Sequence, residues 1–130
     1  MENVLQLTFA KLELKQMELI DRLSMKHNDY VIRVIMSTVT DKFVAVNGDW
    51  ELVTGFKESY CIDKTWEDIA LKSQIKNVLG YMDYLKKSQN TFQKTKFDII
   101  KKDGKILSVD WTGKYFPEIN GMVLIGRVTR

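Results

Sequence analysis

The sequence predicts an α+β domain: a five-stranded antiparallel sheet with helices on one face, preceded by an amphipathic N-terminal helix. Three observations carry this reading. Residues 3–28 contain neither glycine nor proline and repeat apolar residues in steps of four and three, the period of a helix. The segments 30–46 and 97–128 are rich in Val, Ile and aromatic residues and flank a middle with helical spacing. Two hairpin dipeptides, Asp103-Gly104 and Asn120-Gly121, punctuate the C-terminal part.

Taken in order, Leu5, Phe9, Leu12, Gln16, Leu19 and Leu23 form a heptad seam with Gln16 as its one polar interruption. Val4, Leu7, Leu14, Met17 and Ile20 widen the stripe, which therefore suits a helix packed on its own domain, a helix meeting its twin in a homodimer, or both. His27-Asn28-Asp29 supplies the stop, which sets an N-terminal helical unit at 1–29 before a domain at 30–130. Tyr30 to Val39 reads as a strand and Phe43 to Val46 as its hairpin partner. Gly48 to Val53 suits one short helix, and Gly55 a left-handed stop. Further helices follow; Trp66, Ile69 and Ala70 share a face, and Ile75, Val78, Leu79, Met82 and Leu85 form a stripe around Gly80. After Thr91 the period becomes alternating. Phe97 and Ile99 share one face, and Leu107, Val109, Trp111, Gly113 and Tyr115 alternate along the next strand. Asp103-Gly104 favours a type I′ turn, and Asn120-Gly121 favours the next hairpin. The last strand, Met122 to Val128, is apolar at adjacent positions, so both of its faces should be covered: one by the middle helices, the other by the N-terminal helix.

The composition excludes several classes. With 130 residues the chain is long enough for one core without metal or disulfide support, and 45% hydrophobic content argues against disorder. A net charge of +3 from 20 basic and 17 acidic residues is too mild for direct nucleic-acid binding. No apolar run is long enough to span a bilayer, and the N-terminus lacks the pattern of a secretory signal, so the expected location is cytoplasmic. A lone Cys61 fits a reducing compartment. No catalytic constellation is present: the single histidine, His27, and Cys61 stand far apart, and phosphate-loop and metal-ligand spacings are missing. Asp63, Glu67 and Asp68 near Trp66 suit helix capping, while Asp98 and Asp110 suit pairing with Lys94 or Lys96 across strands. The chain is not expected to be an enzyme.

Over residues 30–130 the sequence resembles the PAS family of sensory and interaction domains. The resemblance rests on Asn47 at the end of the second strand, Trp50 in the short helix, Thr54-Gly55-Phe56, the hairpin Lys102-Asp103-Gly104, and Gly126-Arg127-Val128-Thr129 near the end. It implies a signalling module that dimerises and relays a signal to an output or partner domain outside this chain. The departures are informative. The light-sensing flavin branch needs a cysteine at a place that falls on Trp66, five residues beyond Cys61, so a covalent flavin adduct is not expected and Cys61 reads as a buried small hydrophobe. The stretch Lys72 to Lys87 has no histidine, so haem is not expected either. Arg127 stands where the family often carries an aspartate that couples the domain to its output. A pocket of this family would lie between sheet and helices. The candidate lining is Asn47, Trp66, Ile69, Val78, Met82, Phe97, Ile99, Trp111 and Tyr115, with Asn47, Trp66 and Tyr115 as its polar part. Large aromatics fill space, so a filled or very small cavity is expected, with no resident cofactor. The alternative is a sensor that binds flavin or another small molecule without a covalent bond.

Overall fold

The computed structural model describes residues 29–88 and 91–129; the N-terminal seam and His27 lie outside them. Strands β1 (Tyr30–Ser37), β2 (Phe43–Gly48), β3 (Gln93–Ile100), β4 (Ile106–Phe116) and β5 (Gly121–Val128) form one antiparallel sheet in the order β2-β1-β5-β4-β3. The central strand, β5, and its neighbour β1 are the two strands with the densest Val, Ile and Leu content, as burial on both faces demands. Between β2 and β3 run α1 (Trp50–Thr54), α2 (Glu58–Cys61), α3 (Trp66–Ile69) and α4 (Ile75–Lys87), with a 3₁₀ turn at Lys72–Gln74.

These helices pack on one face of the sheet. Trp50, Val53, Cys61, Trp66, Ile69, Val78, Tyr81, Met82 and Leu85 join Ile32, Val34, Phe97, Trp111, Met122 and Leu124 in the main core. The opposite face carries a second cluster: Val31, Ile35, Phe116, Ile119, Val123 and Ile125. Each of the six is below 8% exposed, although none of the four described α-helices contributes a residue to the cluster.

Local chemistry explains where the elements stop and where sequence expectations shift. β1 ends at Ser37 rather than Val39, because the Ser37 hydroxyl accepts the Val39 amide at 3.1 Å and turns the chain, leaving Val39 72% exposed. Gly55 closes α1 at φ 81°, as expected. In α4 the buried stripe takes Tyr81 rather than Leu79, which is 45% exposed. The turn at Asp103-Gly104 is not type I′. Only Gly104 has positive φ, the Gly104 amide donates to the Lys101 carbonyl, and the five-residue loop is closed by Lys101 N–H on the Lys105 carbonyl. The turn before β5 is a 3₁₀ turn, Pro117–Ile119, ended by Asn120 in the left-handed region; proline pre-sets its first residue.

Candidate functional site

The space between sheet and helices is built from aromatic side chains that alternation sends to one face. On β4, Trp111, Gly113 and Tyr115 point toward the helices, and Asp110, Thr112 and Lys114 point away. On β3, Phe97 and Ile99 face the same way as Trp111. Phe97 and Trp111 stack at 5.0 Å with 17° between their planes, and Trp66 meets both edge-on at 5.1 and 5.6 Å. Phe43 closes the other side of Trp66 at 4.8 Å. Such offset and edge-to-face pairs are the favoured geometries of aromatic packing.

Two glycines make this filling possible. A Cβ at Gly126 would stand 2.9 Å from the Trp111 ring and closer still to Val109 and Ile32. A Cβ at Gly113 would stand 2.8 Å from the Tyr81 hydroxyl and 2.9 Å from Leu85. β5 thus yields room to Trp111, and β4 yields room to α4.

Eight of the nine candidate lining residues converge. Trp66, Ile69, Val78, Met82, Phe97, Ile99 and Trp111 are buried in the main core, and Tyr115 is half-buried against it. Asn47 does not join them. It pairs directly with Arg33, which alternates with Val31 and Ile35, so both lie on the opposite face of the sheet. Sequence reasoning missed Phe43 and Tyr81 as lining residues, and it read Gly113 and Gly126 only as members of strand patterns.

Polar groups in this interior are few. Trp111 Nε1 donates to the Phe97 carbonyl at 3.3 Å, and Tyr81 Oη donates to the Gln93 carbonyl at 2.6 Å. Burial pushes the Tyr81 phenol well above its ordinary range, against the smaller opposing pull of a backbone hydrogen bond from Gly113. Trp66 Nε1 is buried and has no hydrogen-bond acceptor among the described residues. Trp50 is fully buried and donates its indole N–H to Cys61 Sγ at 3.1 Å. Burial raises the Cys61 thiol above its ordinary value, with the Trp50 hydrogen bond pulling the other way. At the start of α3, Asp68 accepts the Thr65 amide at 3.0 Å, which holds its carboxyl below the usual range.

On the opposite face, Lys96, Asp110 and Arg127 stand directly across from one another on β3, β4 and β5. Lys96 approaches Asp110 at 3.5 Å, Arg127 Nη2 reaches Asp110 at 3.5 Å, and Arg127 Nε reaches Asp29 at 3.2 Å. An open depression of about 330 Å³ lies beside this row, lined in part by Lys94, Thr112 and Ile125. Among the described residues, no group of three or more His, Cys, Asp and Glu could hold a metal, and no helix is long and apolar enough to cross a membrane.

No family model and no curated protein matches the sequence. Solved structures match its fold. A PAS domain of an HTR-like protein from Haloarcula marismortui aligns with a TM-score of 0.61 at 17% identity, over 94% of this chain and 97% of that one. A domain of a sensory box sensor histidine kinase/response regulator from Geobacter sulfurreducens aligns with a TM-score of 0.61 at 12% identity, over 85% and 92%. The PAS-B domain of Cycle from Drosophila melanogaster, solved with bound ethylene glycol, aligns with a TM-score of 0.60 at 12% identity, over 73% and 94%. The strand order, the helices gathered on one face and these alignments define the class: the chain has the PAS fold.

Proposed function

We propose that this chain is a sensory and regulatory module of signal transduction that dimerises through its N-terminal segment and relays a signal to a partner or output domain. The observation that carries the reading is the second apolar cluster. Val31, Ile35, Phe116, Ile119, Val123 and Ile125 are buried on the face that the described α-helices do not touch. An apolar face of this kind needs a cover. The stripe Leu5, Phe9, Leu12, Leu19 and Leu23, broken by Gln16, supplies one and leaves a second side for a twin copy. A helix seated there senses any shift of β5, whose Leu124 and Val128 face the main core while Val123 and Ile125 face the cover. A seam of this kind can shift between packed arrangements, which is what a relay requires. Sedimentation of the chain lacking residues 1–28 tests this reading. Loss of the dimer, or aggregation through the uncovered face, is the expected result; a soluble dimer of unchanged affinity overturns it.

A second reading, a small-molecule sensor without covalent attachment, is favoured by the buried Trp66 Nε1–H, which has no acceptor among the described residues, since such a donor costs stability unless something satisfies it. Native mass spectrometry and absorbance between roughly 350 and 500 nm, the range of a bound flavin, test it. A colourless chain of apo mass would rule out a co-purifying cofactor and leave only exchangeable ligands.

A further inference from the structure

The row of alternating charge on the outer face ends at a position that matters for the relay. Lys96, Asp110 and Arg127 are successive cross-strand neighbours, and the next residue in the row, Val31 on β1, stands opposite Arg127. Asp29, two residues before Val31, is where the described chain enters the sheet, and its carboxylate takes the Arg127 guanidinium at 3.2 Å. The links differ in worth. Lys96 is 84% exposed, so its contact with Asp110 adds little. Asp29 is only 9% exposed and Arg127 29%, so this pair is shielded from solvent and depends on keeping both partners. Asp110 then ties Arg127 to the interior, because it is the chain neighbour of Trp111 and the two side chains leave β4 on opposite faces.

We infer that Arg127 is a positioning residue: it fixes Asp29, and with it the junction of the N-terminal segment with the sheet, to strands β4 and β5, and so couples that junction to the Trp111 side of the core. The relay role rests on the reading of residues 1–28 as the output-coupled segment; the tie itself does not.

The test uses the full chain with Asp29→Arg, Arg127→Asp and the double charge swap. Hydrogen exchange at the amides of Tyr30 to Ile32 reports the tie, and sedimentation reports the dimer separately. Each single reversal is expected to lower protection at these amides at least ~tenfold, and the swap to restore most of it. Should a single reversal fail to fold, Arg127→Gln and Asp29→Asn remove the attraction without adding repulsion and are read the same way. Unchanged protection in the singles, or a swap no better protected than either single, overturns the inference. A restored tie in a chain that is monomeric throughout would instead count against the dimer reading alone.

Discussion

Trp111 on β4 stands directly opposite Gly126 on β5, and its ring occupies the volume a side chain at 126 would need. The interior of this PAS fold is therefore closed by an agreement between two strands: one gives up its side chain so that the other can place an indole against Phe97 and Trp66.

Gly126→Ala tests that agreement. The added methyl would sit 2.6 Å from Val109, 2.8 Å from Ile32 and 2.9 Å from Trp111, all side chains packed inside the core. Overpacking of this kind costs ~1–3 kcal/mol. Adding Trp111→Phe to Gly126→Ala should cost less than the sum of the two single changes, because the smaller ring yields the space. Strictly additive denaturant midpoints would show that the ring and the glycine are not coupled.

Trp50 is a structural residue. It is fully buried, and its indole N–H is satisfied by Cys61 Sγ. Trp50→Ala should lower the unfolding free energy by ~3–5 kcal/mol. A loss under ~1 kcal/mol would mean that the ring contributes little to packing.

Strand alternation made most of the core visible before any coordinates: Phe97, Ile99, Trp111 and Tyr115 declare their common face by spacing alone. Asn47 did not, because its face depends on the register of β2 against β1, and that pairing shifts between Ile35 and Met36. Leu79 sits at helical spacing from Ile75 and Met82, and Tyr81 from Val78 and Leu85; which one turns inward is settled by the gap above Gly113, a tertiary feature. The hairpin dipeptides located both turns, but loop length, which pairing decides, set their types. Arg127 was legible only as a substitution, since its partners lie on a neighbouring strand and at the entry to β1.

Cys61 should be unreactive in the folded protein. Its thiol is fully buried, burial raises its pKa, and its sulfur accepts the Trp50 N–H. Labelling by a thiol reagent at neutral pH should proceed at the rate of unfolding and become immediate in denaturant. If flavin is supplied and binds, illumination should leave no cysteinyl adduct. Rapid labelling under native conditions, or a reversible bleach lost in Cys61→Ser, would contradict the buried role.

Tyr81 gives the fold a sensitivity to alkali. Its phenol is buried, donates to the Gln93 carbonyl at 2.6 Å, and ionises only well above its ordinary value in the folded state. The stabilising difference is complete below the unfolded pKa of about 10 and is lost as pH rises from there toward the folded value, because the unfolded chain releases the proton first. Tyr81→Phe keeps the ring beside Phe97 but removes both the hydrogen bond and the ionisation. It should cost ~1 kcal/mol at neutral pH and flatten the fall in stability above about pH 10. Urea midpoints at pH 7, 9, 10 and 11 for the two proteins decide the matter. Parallel curves would show that the alkaline loss arises from other groups, and that the Tyr81 phenol is less sheltered than its packing against Gly113 requires.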